Sequence, residues 1–173
     1  MCFDLADADA CQQAMAQALA DDPLDILVCN AAAVAEERFL DIELESWQRQ
    51  IDVNLTAYFI LARDAARSMV KQRSGVILFT ASIDAQGHSL KFTPYCVSKG
   101  GDVSLMKSMA VELARSGVRV NSVSPGPADT QQSTDLVGEE LMAKWRKHGF
   151  PTVPLNRLAS VDDIANAFLF LAS

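Results

Sequence analysis

Apolar residues alternate along this chain between short continuous runs and longer stretches in which they recur every three or four positions. The continuous runs, at residues 25–29, 76–79 and 118–123, are typical of strands buried on both faces of a sheet. The spacing of three and four from Ser46 to about Arg73, and again from about Pro94 to Arg115, predicts two long amphipathic helices. Strands and helices in this alternating order predict right-handed crossovers and a parallel sheet, an α/β fold.

Shorter helical patterns flank this central part. An alanine-rich amphipathic stretch runs from about Ala10 to Ala20, and apolar spacing predicts another helix from Leu136 to about His148. Ser160-Val161-Asp162-Asp163 resembles a capping box that begins a last helix ending at Leu171. Gly117 follows the second long helix where a C-terminal cap is expected. No linker or internal repeat interrupts the pattern, so we expect one domain over residues 1–173.

The bulk composition excludes several classes of protein. The chain has 173 residues, half of them hydrophobic, which is enough for a sizeable core. Its formal net charge is −7 and it has no run of Lys or Arg, so we expect no nucleic-acid partner and no membrane surface. Apolar stretches such as 167–172 are far below the roughly 20 residues that span a bilayer. The N-terminus lacks the basic flank of a secretory signal, and we expect a cytoplasmic protein.

Neither cysteines nor histidines are spaced for a metal ion. The four cysteines are Cys2, Cys11, Cys29 and Cys96. They form no Cys-x-x-Cys pair, which suits reduced, mostly buried thiols. His88 and His148 have no Cys, Asp or His at ligand spacing, so we expect no metal site.

The candidate chemistry centres on Tyr95 and Lys99. Their spacing of four in a predicted helix places both side chains on one face. An ammonium group near a phenol lowers the phenol's pKa from about 10 toward neutral pH, where acid–base catalysis is most efficient. This pair predicts a hydride-transfer enzyme. Ser82 lies thirteen residues before Tyr95, just past the predicted strand at 76–79.

With other stretches in matching order along nearly the whole chain, these residues resemble the short-chain dehydrogenase/reductase family. The resemblance implies a Rossmann-like doubly wound parallel sheet, a nicotinamide cofactor and a small-molecule alcohol or ketone substrate. It implies that Tyr95 is the acid in reduction and the base in oxidation, that Ser82 orients the substrate oxygen, and that Lys99 hydrogen-bonds the nicotinamide ribose. Asn54 matches the asparagine that holds a proton-relay water, and asparagine is unfavourable inside a helix, which favours a functional reason for it.

The resemblance also implies a set of cofactor contacts. They are Asp4, Leu5, Asn30, Ala31, Ala32, Tyr95, Lys99, Pro125, Gly126, Ala128 and Thr130. Asp4-Leu5 matches the family's acid at the end of the third strand, beside the adenine. Ala32 stands where the family has a glycine, so its methyl group disturbs that contact if the position needs a positive φ or a close backbone approach. The residue that chooses between NAD and NADP has no match here, and either cofactor fits the pattern.

Two further implications concern the lid and the oligomer. Residues 131–153 occupy the place of the family's substrate lid, and their apolar positions suit either a lid face or core packing. The helices near 46–73 and 94–115 resemble those through which family members form dimers and tetramers. We therefore expect a homodimer or homotetramer through these helices.

A glycine-rich phosphate loop is absent from the sequence. The eight glycines are scattered, whereas such a loop groups its glycines in a strand–turn–helix unit of roughly 30 residues. By comparison with the family, the chain begins inside the third strand and ends before the last one, so we expect an incomplete doubly wound sheet and a fragment of a longer enzyme. The alternative is a catalytically silent module of the same fold that acts through oligomerisation. A silent module has no reason to keep Asn54, Ser82, Tyr95 and Lys99 together.

Overall fold

A three-stranded parallel sheet forms the centre of the molecule. The computed structural model describes residues 2–87 and 89–173. The strands are β1 (Ile26–Cys29), β2 (Gly75–Thr80) and β3 (Val118–Val123), in the order β1-β2-β3. Both pairings are parallel, and they place Val28 opposite Leu78 and Leu78 opposite Asn121. This arrangement confirms the predicted α/β, Rossmann-like class.

Helices cover both faces of the sheet. They are α1 (Ala8–Asp21), α2 (Leu44–Ile51), α3 (Ala57–Gln72), α4 (Thr93–Leu113), α5 (Gln131–Val137), α6 (Glu139–His148) and α7 (Val161–Ala172). On one face, Ile77 and Phe79 of β2 and Val120 of β3 join side chains of α3 in the main hydrophobic core. On the other face, α7 lies against β2 and β3. The capping box predicted at Ser160 is present, with Ser160 accepting from the Asp163 backbone N–H and Asp163 accepting in return.

Two predicted helices are more segmented than the apolar spacing indicates. The stretch predicted from Ser46 to Arg73 is interrupted by a π-helical turn, Asp52–Thr56, and ends where Arg73 takes the left-handed conformation. The helix predicted from Leu136 to His148 begins only at Glu139, because Gly138 has a φ of 87° and separates α5 from α6. Apolar spacing does not detect such breaks, since neither one changes which face is buried.

The π-helical turn brings α4 close to the preceding helices. A Cβ at Gly101 would lie 2.7 Å from the Leu55 side chain, a distance that real Cβ atoms do not show. A glycine two residues after Lys99 therefore lets α4 approach the turn that carries Asn54. Within the described part of the chain, every helix is too short or too polar to cross a membrane.

Candidate active site

The main cavity opens at the carboxyl ends of the three strands. It has a volume of about 570 Å³ and is lined by segments that follow each strand. Residues 30–32 follow β1, residues 80–84 include the end of β2, and residues 125–128 follow β3. The edge beyond the carboxyl ends of parallel strands is where α/β sheets bind ligands. The cavity is therefore the candidate site.

Ser82 and Tyr95 both line this cavity and come from different elements. Ser82 follows β2 and caps the short 3₁₀ turn at Ile83–Ala85. Tyr95 lies in the first turn of α4, and both residues line the cavity. Burial raises the pKa of the Tyr95 phenol above its usual value, and hydrogen bonding to Ser82 offsets only part of that effect. The phenol is consequently neutral near pH 7.

Lys99 reaches the cavity from the same helix face as Tyr95, as the spacing predicts. Its side chain is 1% exposed, and its Nζ donates to the Thr80 carbonyl oxygen at 2.7 Å and to Asp102 Oδ2 at 3.0 Å. The Nζ lies 5.9 Å from the centroid of the Tyr95 ring. Burial lowers the pKa of Lys99 more than Asp102 raises it.

The prediction was that Lys99, close to a nicotinamide cation, lowers the pKa of Tyr95. In the protein alone, burial raises that pKa, and the Lys99 ammonium is paired with the buried Asp102 carboxylate. The negative charge of Asp102, together with that of Asp84, favours the neutral phenol. The sequence interpretation of the pair omitted the acid one helical turn further on.

Asn54 is completely buried in the π-helical turn. Its Oδ1 accepts from the Ala33 backbone N–H at 2.7 Å, and its Nδ2 donates to the Ala33 carbonyl at 2.9 Å and to Ser98 Oγ at 3.0 Å. The amide thus joins the loop after β1 to α4. These bonds engage both ends of the side chain with protein partners and hold the helix that carries Tyr95 and Lys99.

The residues that follow β1 form a loop that lines the cavity and is held by a few hydrogen bonds. Thr80 Oγ1 donates to Asn30 Oδ1 at 2.8 Å, and Tyr58 donates to the Ala31 carbonyl at 3.1 Å. Ala32 is not among the described residues with positive φ, and its carbonyl accepts from Gln132 at 3.0 Å. Ala32, which stands where the family has a glycine, therefore causes no backbone strain from a positive φ.

The segment after β3 forms the opposite wall. Pro125, Gly126, Ala128 and Thr130 all line the cavity. The Pro125 carbonyl accepts from the Ile83 N–H at 3.1 Å, which ties this wall to the loop that carries Ser82. Thr130 caps α5 through the Ser133 backbone N–H. This wall is bonded to the loop after β2, and Gln132 of α5 donates to the Ala32 carbonyl in the loop after β1.

Asp4 and Leu5 are not brought to the cavity. Asp4 is exposed, and its carboxylate pairs with Arg49 at 2.7 Å and accepts from the Ala6 N–H at 3.0 Å. The Arg49 guanidinium is the largest cause of the lowered pKa of that carboxyl. Leu5 begins a turn and packs beside Cys11, so the expected position at the end of a strand is not found. The predicted adenine contact of this pair has no support in the geometry.

The predicted lid segment contributes to both cavity and core. Gln132, Ser133 and Leu136 line the cavity, while Met142 is fully buried. Trp145 and Phe150 pack edge to face with ring centroids 4.6 Å apart. Side chains of α5 thus face the cavity and Met142 of α6 packs in the interior, while the lid role stays a prediction.

Sequence reasoning missed two residues that line the cavity, Asp84 and Gln132, and one buried partner of Lys99, Asp102. Asp84 accepts from Ser82 Oγ at 3.3 Å and from Ser89 Oγ at 2.6 Å, and Gln132 bridges to Ala32. Asp102 pairs with Lys99, and its spacing of three from Lys99 was the signal that could have identified it. Within the ranges 2–87 and 89–173, no three His, Cys, Asp or Glu side chains are grouped as metal ligands. His88 lies outside the described residues, and His148 lines a separate surface pocket.

Comparisons with known proteins identify the family. Residues 1–173 match the family model described as enoyl-(acyl carrier protein) reductase. The chain is 36% identical over 150 residues to a 3-oxoacyl-[acyl-carrier-protein] reductase of Chlamydia pneumoniae, covering 87% of this chain and 58% of that protein. It is 32% identical over 171 residues to the 2-dehydro-3-deoxy-D-gluconate 5-dehydrogenase of Bacillus subtilis, covering 99% and 66%. The chain thus spans about three fifths to two thirds of the length of these relatives.

Solved structures give the same result. A short-chain type dehydrogenase/reductase from Mycobacterium marinum is 39% identical with a TM-score of 0.81, covering 98% of this chain and 66% of that one. A gluconate 5-dehydrogenase from Burkholderia cenocepacia, in complex with NADP and tartrate, is 29% identical with a TM-score of 0.87, covering 99% and 66%. With the converging Ser82, Tyr95 and Lys99 side chains, these matches show that the chain belongs to the short-chain dehydrogenase/reductase family.

Proposed function

We propose that this protein is an NAD(P)-dependent oxidoreductase that interconverts an alcohol and a ketone by hydride transfer, with Tyr95 as the acid and base. The observation that carries this proposal is the convergence of Ser82, Tyr95 and Lys99 on one cavity at the carboxyl edge of the sheet. Relatives named as a 3-oxoacyl reductase and a gluconate 5-dehydrogenase support the reaction class.

Tyr95 moves the proton. In reduction, its Oη–H donates a proton to the substrate oxygen as that oxygen becomes an alcohol, and in oxidation the phenolate accepts the proton back. Because burial raises the pKa of Tyr95, the group is protonated near pH 7 and is ready to act as the acid. Oxidation, which needs the phenolate, is expected to be favoured at higher pH.

Ser82 orients the substrate oxygen. Its Oγ accepts from the Asp84 backbone N–H at 3.1 Å, which fixes the position of the hydroxyl beside Tyr95. The hydroxyl proton points toward Asp84 Oδ2 at 3.3 Å, a long bond that can be exchanged for a stronger one to a carbonyl oxygen. Positioning one oxygen between Ser82 and Tyr95 gives the proton a short path.

The cavity fits the nicotinamide end of the cofactor. Its volume of about 570 Å³ is that of a small-molecule site. Two of the three Lys99 N–H groups are used by Thr80 and Asp102, which leaves one for a ribose hydroxyl. The backbone of Pro125 and Gly126, with Thr130, would hold the carboxamide, and Asn30, Ala31 and Ala32 would flank it. When bound, the nicotinamide supplies or accepts the hydride.

Asn54 supports the site by holding helices in place. Its amide fixes Ser98, the residue just before Lys99, against the loop after β1. We assign it this orienting role as well as the water-holding role that the resemblance implies. NAD and NADP both remain open as the cofactor.

Exposed apolar side chains support the proposal of a homodimer or homotetramer through α2–α3 and α4. Phe59 on α3 is 44% exposed, and Val97 and Val111 on α4 are 47% and 82% exposed. Apolar side chains clustered on helix faces are typical of protein interfaces. Sedimentation of the protein at several concentrations tests this assembly.

The four cysteines carry no disulfide, which supports the proposed cytoplasmic location.

The test of the reaction is Tyr95→Phe in the complete gene product that contains these residues. We expect turnover of NADH or NADPH with alcohol and ketone substrates to fall by roughly 10²- to 10⁴-fold, because the proton donor is removed and the ring is kept. Tyr58→Phe is the matched control: it removes the other phenol of this sequence, and we expect a loss below about tenfold because the Tyr58 hydroxyl donates to the Ala31 carbonyl and not to a group in the proposed reaction.

Two outcomes would contradict the proposal. Unchanged turnover in Tyr95→Phe would remove Tyr95 from the reaction. No turnover of either cofactor by the unmodified protein, across alcohols and ketones, would favour a catalytically silent module that acts through oligomerisation.

A further inference from the structure

Asp84 carries the only carboxylate among the described residues that line the cavity. It is half-buried, and none of the ion pairs among the described residues involves it. Its backbone N–H donates to Ser82 Oγ at 3.1 Å. The carboxylate is therefore held next to the hydroxyl that is proposed to orient the substrate oxygen.

The two oxygens of this carboxylate differ in their hydrogen bonds. Oδ1 accepts from Ser89 Oγ at 2.6 Å, which is a short bond. Oδ2 accepts from Ser82 Oγ at 3.3 Å, whereas such bonds between oxygens are usually about 2.5–3.0 Å long. Ser89 thus anchors the carboxylate through Oδ1, and Oδ2 keeps most of its capacity to accept a hydrogen bond.

Substrate binding at Ser82 releases Oδ2. A serine hydroxyl has one proton to donate, and in the proposed reaction Ser82 donates it to the reacting carbonyl oxygen. Asp84 Oδ2 then loses its bond from Ser82 at the moment when substrate covers it. A covered acceptor without a donor is unfavourable, and more so when it is charged. A hydrogen-bond donor on the substrate itself removes this cost.

We propose that Asp84 is a specificity-determining residue that accepts a hydrogen bond from a substrate hydroxyl on the carbon next to the reacting one, so that the substrates are 2-hydroxy ketones and vicinal diols. This inference rests on the proposed function. The two oxygens of such a substrate are on adjacent carbons, so one can bind Ser82 Oγ while the other reaches Asp84 Oδ2, which is 3.3 Å from that Oγ. In reduction the carbonyl carbon gains the hydride and its oxygen gains the proton, and the neighbouring hydroxyl is unchanged.

The same carboxylate disfavours other classes of substrate. A 2-oxo acid has its own carboxylate on the neighbouring carbon, and two like charges repel each other strongly in a cavity lined largely by apolar residues. A simple ketone has no donor for Oδ2. A hydroxyl needs one acceptor for its proton, whereas an ammonium needs three. The hydroxyl is therefore the group that matches the single oxygen left free.

The test compares matched carbonyl compounds as substrates of the complete gene product that contains these residues. They are 3-hydroxy-2-butanone, 2-butanone and 2-oxobutanoate, each reduced with NADH or NADPH. We expect kcat/KM for the hydroxy ketone to exceed that for 2-butanone by roughly 10- to 100-fold, as for one hydrogen bond to a charged group. We expect 2-oxobutanoate to be the poorest of the set. An enzyme that reduces 2-oxobutanoate as well as the hydroxy ketone would overturn the proposal.

Asp84→Asn separates the effect of the carboxylate from the intrinsic reactivity of these compounds, which is the same for both proteins. The variant keeps an oxygen for the Ser89 bond and removes the charge. We expect the preference for the hydroxy ketone over 2-butanone to fall by about tenfold, and 2-oxobutanoate to improve by about tenfold relative to 2-butanone. Asp135→Asn, the same charge change on an exposed residue of α5 outside the cavity lining, is expected to leave both ratios unchanged. Unchanged ratios in Asp84→Asn, or equal changes in the two variants, would overturn the proposal.

A binding measurement distinguishes failure of this proposal from failure of the proposed reaction. With NAD or NADP present, 2,3-butanediol is expected to raise the midpoint of thermal unfolding more than 2-butanol does, and Asp84→Asn is expected to remove the difference. The comparison of wild type with the variant cancels the solvent effects of the alcohols. A protein without turnover that shows this difference loses the reaction and keeps the ligand class. A difference between the alcohols that is equal in wild type and Asp84→Asn would overturn the proposal, even in an active enzyme.

Discussion

β1 and β2 are neighbouring strands of similar apolar sequence in very different surroundings. Val28 of β1 and Leu78 of β2 are register partners on the same face of the sheet, yet they are 47% and 0% exposed. β2 is paired along both edges and covered on this face by α7, whereas within the described residues β1 is paired along one edge only. Burial in this molecule thus depends on the position of a strand in the sheet more than on its composition.

The candidate site shows the same difference in burial between the residues that follow β1 and those that follow β2. Ser82 follows the buried strand β2. Tyr95 and Lys99 lie on α4, which packs against β3, and Lys99 donates to the Thr80 carbonyl at the end of β2. Asn30 and Ala31 follow β1 and are exposed. The side chains proposed to transfer the proton are therefore attached to buried elements, whereas the proposed cofactor side of the cavity is supported by a few hydrogen bonds. The proposed proton transfer requires Ser82, Tyr95 and Lys99 to keep a fixed geometry, so rigidity matters most in this half of the site.

Truncating the two register partners tests this comparison with the largest expected effect. Leu78→Ala removes a fully buried side chain and is expected to lower the free energy of unfolding by roughly 2–5 kcal/mol. Val28→Ala, at the exposed partner, is expected to cost less than about 1 kcal/mol. Urea unfolding measures both. Equal losses would mean that the face of β1 is covered in solution.

Removal of Lys99 tests how strongly the site is coupled to the core. Lys99→Met leaves the Asp102 carboxylate buried without a partner, and we expect the free energy of unfolding to fall by roughly 3 kcal/mol at neutral pH. The matched control is Lys107→Met, an exposed lysine of the same helix, for which a change within about 0.5 kcal/mol is expected. Similar losses of unfolding free energy in Lys99→Met and Lys107→Met would show that the Lys99–Asp102 ion pair is exposed to water.

The pH dependence of stability sharpens the comparison further. The pKa of Asp102 is raised by burial from its ordinary value to about 6 in the folded protein. Over the intermediate range the folded protein therefore binds a proton that the unfolded chain does not, and this contribution to stability is complete at low pH and lost as the pH rises through about 6. The difference in unfolding free energy between wild type and Asp102→Asn should decrease across that range. A difference that is flat from pH 4 to 7.5, or that increases, would place the carboxylate in a wetter environment.

Much of the architecture could be predicted from the sequence, because buried strands and amphipathic helices each produce a recognisable pattern of apolar residues. The strand at 118–123 and the capping box at Ser160 appear as predicted. The break at Gly138 was missed, since a single positive-φ glycine between two helical segments leaves the apolar spacing intact. The sequence analysis also expected a strand that ends at Asp4, but the structure has no strand there. That expectation came from the family resemblance and not from a local pattern of residues.

Most of the predicted site residues line the cavity, but Asp4, Leu5 and Asn54 do not, and the electrostatics were not predicted. The spacing of Tyr95 and Lys99, with the family resemblance for Ser82, was sufficient to place these three side chains at one cavity. Spacing did not give the direction of the Tyr95 pKa, which depends on burial and on Asp84 and Asp102. A pairwise rule for a tyrosine and a lysine assumes a dielectric environment and a set of neighbours that only the folded chain defines.

The sequence by itself determined the order of strands and helices, the family pattern and which side chains meet at the carboxyl edge of the sheet. The first depends on local periodicity, and the other two depend on fixed spacings and on the order of motifs along the chain. Only the tertiary structure decided that the Lys99 ammonium is bonded to a buried carboxylate, that Tyr95 keeps its proton, and that Asp4 lies away from the cavity. Charge interactions depend on distance and burial in three dimensions, and these quantities are set by packing between elements that are far apart in the chain.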